Sequence, residues 1–205
     1  ALYLGADSVV TPVSSNTALE RSGWFAATLR TRIGSPFVIA GMQQATGRCV
    51  VGYEANGGFL TRSEVVRNGR RLPALPTRDA VIVALAVLGL AAERQVPVSA
   101  LAALLPPRFT ASDRLQDFAT AIARDRLGAL SDGGARAIEA AFPDLGAVGG
   151  IDQTDGLRIA FASGDVVHLR PSGNAPELRC YVEAESETGA LALLQRCLQV
   201  LEGWR

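Results

Sequence analysis

The sequence has little histidine, few cysteines and no net charge. His168 is its only histidine, so a His-rich metal site is excluded. A Ser-His-Asp triad would need a nucleophile elbow, and no Gly-x-Ser-x-Gly occurs. Cys49, Cys180 and Cys197 are scattered, odd in number and without metal-ligand spacing. They argue against a disulfide framework and for a reducing, cytoplasmic setting. Lys plus Arg number 20 and Asp plus Glu number 20. No global field therefore draws the chain to nucleic acid or to an acidic membrane, and neither is expected as a partner. The longest apolar stretch, residues 80–92, falls below the roughly 20 residues of a membrane span. The opening Ala1-Leu2-Tyr3-Leu4-Gly5-Ala6-Asp7 has neither Met nor a basic leader region. It reads as a helix end running into a strand, so the chain is expected to be the C-terminal part of a longer protein.

What is present is ample apolar material. Of 205 residues, 48% are hydrophobic and 20% charged, enough to build one large or two small cores. Val9 to Val13 reads as a buried strand. Asn16 or Thr17 can cap a helix over 17–27, with Glu20 placed for a capping box. An extended piece at 29–33 is broken by Gly34-Ser35-Pro36, and a helix follows over 37–44. Residues 49–53 form a second strand ending in a turn-rich loop, and Asn68-Gly69 marks a further turn. Residues 78–95 give the clearest helix, apolar nearly all round and so expected to be buried on several sides. Pro106-Pro107 stops the helical pattern, and the stretch to Ser112 reads as a linker.

Beyond it the strands shorten and the turns tighten. Helices are expected at 113–127 and 132–142, with strands near 147–153, 156–162, 165–170 and 178–184. Ser186 caps a last amphipathic helix with Leu191, Leu194, Leu198 and Leu201 on one face. The expected fold is an α/β domain with a mixed sheet and flanking helices over 1–107. A smaller α+β domain follows over 113–205, with an antiparallel sheet and helices on one face.

Two loops carry recognisable chemistry. Arg170-Pro171-Ser172-Gly173-Asn174-Ala175-Pro176, followed by Arg179, joins guanidinium groups, a hydroxyl, an amide and a Gly turn between two strands. That set suits a phosphate. Gly52-Tyr53-Glu54-Ala55-Asn56-Gly57-Gly58 follows a strand directly, where open α/β sheets bind ligands. Glu54 and Asn56 together suit vicinal sugar hydroxyls. Arg32-Ile33-Gly34-Ser35-Pro36 places a cation before a helix start, a weaker anion-binding pattern. Ser14-Ser15-Asn16 is explained by capping, Asp152 and Asp155 read as turn residues, and His168 reads as an interstrand histidine.

Together the two loops resemble those of the α-D-phosphohexomutases. The Arg-Pro-Ser-Gly run is similar to that family's C-terminal phosphate loop, Arg-Pro-Ser-Gly-Thr-Glu-Pro with a second Arg. The Glu54 loop is similar to its sugar-recognition loop, Gly-Gly-Glu-x-Ser-Gly-His. Arg32-Ile33-Gly34 and the Val10–Asn16 stretch also fit, so the resemblance covers the chain as domains three and four of a four-domain enzyme. Asn174, Ala175, Asn56 and Gly58 depart from the usual residues, and the Glu-Ala-Asn-Gly-Gly version is most similar to bacterial phosphomannomutases.

The resemblance implies the substrate-recognition half of an isomerase. Such an enzyme interconverts hexose 1-phosphate and 6-phosphate through a bisphosphate, with hexose 1,6-bisphosphate as activator. Arg170, Ser172, Gly173, Asn174 and Arg179 would hold phosphate, and Glu54 and Asn56 the sugar. The family's phosphoserine and Mg²⁺ loop lie in its first two domains, and no Asp-x-Asp-x-Asp run occurs here. The implied partners are a hexose phosphate and the missing N-terminal domains, and the chain alone is expected to be inactive. A phosphoglucomutase or phosphoglucosamine mutase half is the alternative, as is a non-catalytic phosphosugar-binding module.

Overall fold

The structure, a computed structural model, describes residues 1–205. It divides into two compact units, 1–106 and 107–205.

In the first unit, β1 (Ser8–Pro12) is buried at every position. The reason is topological: β1 lies between parallel neighbours β2 (Ala27–Thr31) and β3 (Val50–Tyr53). A strand covered on both faces needs a continuous apolar run rather than alternation. Hairpin partner β4 (Phe59–Thr61) is antiparallel to β3 and completes the order β2-β1-β3-β4. Successive side chains point to opposite faces, so two cores form. Val10, Val50 and Leu60 pack with Val38 and Met42 of helix α2 (Ser35–Gln44). Val9, Val51 and Phe59 pack with Leu4, Ala6 and Val65.

Two early expectations change here. Helix α1 spans only Ala18–Arg21, because Gly23 turns left-handed (φ 65°) and the chain enters β2 at Ala27. After the small hairpin β5 (Val65–Arg67) and β6 (Arg70–Leu72), helix α3 (Val81–Arg94) is not buried on several sides. Ile82 and Val83 face the core, whereas Val81, Leu85 and Leu88 are 66%, 61% and 58% exposed. An all-round apolar pattern reports the lack of a polar face, not the presence of a neighbour. No single helix is long and apolar enough to cross a membrane.

The second unit begins before residue 113. Residues 108–112, expected to be linker, enter β7 (Phe109–Leu115), which pairs with β11 (Leu178–Ala184) along its length. As an edge strand with mostly exposed side chains it has the polar composition of a loop. Helix α4 follows over Thr120–Ala141 and is broken at Gly134 (φ 59°, ψ −151°) into two segments. This is in line with the two helices expected over 113–127 and 132–142, except that the first starts at 120 because β7 takes residues 109–115. Strands β8 (Val148–Asp152), β9 (Leu157–Phe161) and β10 (Val166–Pro171) complete an antiparallel sheet of order β7-β11-β10-β9-β8. Helix α5 (Glu187–Glu202) is capped by Ser186, whose Oγ accepts from the Gly189 N–H at 3.0 Å. Val167, Leu169, Cys180 and Val182 face α4 and α5 and form one core. The residues alternating with them, His168, Arg170, Arg179 and Tyr181, fall on the opposite, polar face.

Candidate functional site

In the first unit, the sugar-loop candidates lie in the turn of the β3–β4 hairpin. The Glu54 N–H donates to Gly58 O at 2.9 Å and the Gly57 N–H to Glu54 O at 3.1 Å. Asn56 is exposed, and its Oδ1 accepts from the Gly58 N–H at 3.1 Å. That leaves its NH₂ as the group presented outward. Glu54 is buried (7% exposed). Its Oε2 accepts from Ser35 Oγ at 2.5 Å and lies 3.7 Å from Arg78 Nε. Ser35 opens α2, so this bond joins the third candidate loop to the sugar loop at the carboxyl ends of parallel strands β2 and β3. Arg32 lies over the Phe37 ring, 4.9 Å from its centroid.

Gly58 stands where the resemblance expects His. A Cβ there would sit 2.7 Å from Arg78 Nε, so the Arg78 guanidinium crosses the hairpin where the glycine leaves room. Arg78 is 20 positions downstream of Gly58 and carries no local motif, so sequence reasoning missed it. Ser14-Ser15-Asn16 does structural work, as expected: Asn16 Oδ1 accepts from the Ala18 N–H at 3.2 Å. The Arg30 guanidinium also binds the carbonyls of Val13, Ser15 and Asn16.

In the second unit, Arg170, Ser172, Gly173, Asn174 and Arg179 occupy the β10–β11 connection and its flanks. The loop closes through the Ser172 N–H donating to Glu177 O at 2.8 Å. It is anchored from outside by the Phe118 N–H donating to Pro176 O, also at 2.8 Å. Ser172 is buried, and its Oγ accepts from the Asn174 N–H at 3.4 Å. Gly173 is exposed, and no atom lies within 4 Å of a Cβ built there.

Arg170 Nε donates to Asp155 Oδ2 at 2.9 Å, and its two terminal nitrogens bind no protein group. The chain contains no lysine, so all 20 of its basic side chains are arginine. Three of them stand in register across adjacent strands: Arg170 opposite Arg179, and Arg179 opposite Arg114. Directly opposed residues share a face, so this is one row of guanidinium groups. Glu177 keeps two of them apart, its Oε2 at 3.4 Å from Arg179 and its Oε1 at 3.3 Å from Arg114. Tyr181 and Glu177 beside it raise the Arg179 pKa and so hold it in its charged form. Ser112, Asp113, Arg114, Gln116, Arg179 and Tyr181 line a cavity of about 460 Å³ beside this row. Arg114 was hidden from sequence reasoning because its segment read as a loop and then a helix. Asp155 was hidden because it read as a turn residue.

His168, opposite Tyr181 in the sheet, stacks on its ring at a centroid distance of 5.5 Å. Burial lowers its pKa below the ordinary histidine value. The Arg158 and Arg170 charges act in the same direction, and contacts with Asp155 oppose them. Cys180 and Cys197 are buried in the core and free. No group of three or more His, Cys, Asp or Glu side chains able to hold a metal exists in the chain.

An α/β unit followed by an antiparallel unit bearing an arginine-flanked loop now has a family. Residues 2–109 match phosphoglucomutase/phosphomannomutase, alpha/beta/alpha domain III, and residues 128–198 match the C-terminal domain of the same family. The chain belongs to the phosphoglucomutase/phosphomannomutase family. It is similar to a phosphomannomutase of Sinorhizobium fredii, 41% identical over 204 residues, and to one of Salmonella muenchen, 42% identical over 202. These comparisons take in 98% and 97% of this chain but 43% and 41% of the relatives, so it spans less than half their length.

Solved structures share the fold. A phosphoglucomutase/phosphomannomutase family protein of Burkholderia thailandensis matches 97% of this chain and 38% of its own, with TM-score 0.67 and 17% identity. N-acetylphosphoglucosamine mutase of Aspergillus fumigatus, in complex with GlcNAc-6P and magnesium, matches 96% of this chain and 39% of its own. Its TM-score is 0.62 and its identity 14%.

Proposed function

We propose that this chain is the substrate-recognition half of a phosphohexomutase acting on mannose phosphates. The observation that carries the proposal is the state of Arg170. Its Nε is bound to Asp155 while both terminal nitrogens stay open beside the Ser172–Asn174 turn. A guanidinium edge, a hydroxyl, the Gly173 N–H and the Asn174 amide together make an oxyanion cradle. Arg179 adds a second cation one strand away. In this reading the cradle holds the phosphate that is not reacting, and Glu54 with Asn56 takes sugar hydroxyls. The buried Glu54 carboxylate, oriented by Ser35, accepts from a hydroxyl, and the outward Asn56 NH₂ donates.

The reaction implied is interconversion of hexose 1- and 6-phosphates through a bisphosphate. Its nucleophile belongs to the portion of the relatives that this chain does not span. The residues present do not fit Mg²⁺, since no acidic cluster is assembled. In this reading the metal is held elsewhere in a full-length enzyme, and the contribution made here is positioning. The name of the two curated relatives favours mannose over glucose or glucosamine phosphates.

An amide NMR titration of the chain with mannose 1-phosphate tests this. Shifts at 52–58 and at 170–179 are the expected result. Shifts at 170–179 alone would keep the phosphate clamp and remove the sugar role of Glu54 and Asn56. No shifts at millimolar ligand would overturn recognition by this chain. Arg170→Ala is expected to weaken binding by about 2–5 kcal/mol.

A further inference from the structure

The Asp155–Gly156 turn between β8 and β9 lies against the base of Arg170. Gly156 has φ +84°, and a Cβ on it would stand 2.3 Å from Leu169 O and 3.1 Å from Arg170 Cα. Two bonds tie this turn to β10. His168 Nε2 meets the Asp155 carbonyl at 2.6 Å, and Arg170 Nε meets the Asp155 carboxylate at 2.9 Å. A carbonyl oxygen only accepts, so Nε2 must carry the proton, and in the neutral ring Nδ1 is then a bare acceptor. Nδ1 is buried and without a partner.

A ring that only filled space would not need to be histidine. Burying an unpartnered Nδ1 has a cost that an apolar side chain would avoid. What histidine adds is the Nε2–H donor. The ring also stacks on Tyr181, which shares the polar face of β11 with Arg179. One imidazole therefore touches the support of Arg170 and the ring beside Arg179.

We propose that Asp155 and His168 are positioning residues for the anion site. His168 pins the Asp155 turn through its Nε2–H, and Asp155 holds Arg170 by Nε so that both terminal nitrogens are left for the ligand. This rests on the phosphate-clamp reading above. A long arginine side chain loses rotamer freedom when it grips an anion, and ordering it beforehand removes that loss from the binding step. Gly156 permits the close approach that makes the two bonds possible.

The test uses the chain with His168→Phe, His168→Gln and Asp155→Asn. Each is read by mannose 1-phosphate titration and by solvent exchange of the Arg170 Nε–H in NMR. His168→Phe keeps a stacking ring without the donor, and His168→Gln restores an N–H donor. Slow Nε–H exchange is expected in the unmodified chain and fast exchange in His168→Phe and Asp155→Asn. Their affinity should fall about tenfold, and His168→Gln should recover most of it. Equal affinities and equal exchange across the set overturn the proposal, as does a His168→Gln variant no better than His168→Phe. If the unmodified chain binds no mannose 1-phosphate, the clamp reading fails and exchange alone decides. Slow exchange that His168→Phe accelerates still supports positioning, and fast exchange in every protein refutes it.

Discussion

Ser35 donates its hydroxyl to the buried carboxylate of Glu54 at 2.5 Å, linking the first turn of α2 to the β3–β4 hairpin. The two residues are 19 apart in sequence, yet the parallel arrangement of β2 and β3 brings the ends of both strands together. Without Ser35, Glu54 keeps only the 3.7 Å approach of a half-exposed Arg78. Hydrogen bonds to charged groups contribute about 1.5–3 kcal/mol. Ser35→Ala should therefore lower the stability of the first unit by about that amount in urea unfolding. Pairing it with Glu54→Gln should give a non-additive cycle, and simple additivity would mean that the bond does not orient the carboxylate.

Arg108 and Glu183 form a buried ion pair, with side chains 0% and 5% exposed. Arg108 Nη2 also donates to Gly164 O at 2.7 Å. Removing the carboxylate leaves the Arg108 guanidinium buried without its counter-charge, which typically costs about 3–5 kcal/mol, whereas replacing both by apolar groups is often close to neutral. Glu183→Leu should destabilise the second unit strongly, and Glu183→Leu with Arg108→Met should recover most of the loss. Denaturant unfolding followed by Trp204 fluorescence checks this. A mild effect of Glu183→Leu alone would show that the pair does not hold the start of β7 in place.

The alternation of helices and strands was legible because each element buries a patterned face, and the arginine loop was legible because its groups are contiguous. The partners of that loop were not. Asp155 precedes Arg170 by 15 residues and reaches it only because β9 and β10 are antiparallel. Arg114 joins the row by β7–β11 register, in a segment whose exposed, polar pattern imitates a linker. Arg78 is identified only by the room left over Gly58. Sequence reports the faces that are buried. Contacts between polar side chains distant along the chain depend on register, which a single turn or bulge can shift.

His168 titrates below its ordinary range, chiefly because burial disfavours the imidazolium. Asp155, Arg158, Arg170 and Tyr181 are the ionisable groups around it. In the unfolded chain its pKa is about 6.5. Between that value and the lower folded one, the unfolded state binds more protons. The contribution of His168 is then fully present above about pH 6.5 and is lost as pH falls through that window. The slope is at most about 1.4 kcal/mol per pH unit. Unfolding curves from pH 7.5 downward should therefore converge for the unmodified chain and His168→Gln, and parallel curves would contradict the shift.

Val81, Leu85 and Leu88 form an exposed stripe on α3 at helical spacing. Substituting all three with Gln removes no buried contact, so stability should change by only about 0.5 kcal/mol per site. Binding of a hydrophobic dye should fall clearly, because a contiguous apolar patch is lost. A large loss of stability would mean that the stripe is covered in solution.

Gly156 is the position where the anion site meets the limits of the backbone. Its φ of +84° suits glycine, and a methyl group would also run into the Leu169 carbonyl at 2.3 Å. The left-handed conformation costs a side-chain-bearing residue about 1–2 kcal/mol, and overpacking adds about 1–3. Relief requires the turn to move away from β10, which stretches both the His168–Asp155 and the Asp155–Arg170 bonds. Gly156→Ala should therefore lower stability by more than about 2 kcal/mol. It should also accelerate Arg170 Nε–H exchange under conditions where the fold persists. Gly146→Ala, at a left-handed position (φ 82°) with no atom within 4 Å of the added Cβ, has the backbone cost without the steric conflict and serves as the comparison. If Gly156→Ala destabilises the unit while Arg170 exchange stays slow, the turn supports the fold without ordering the guanidinium.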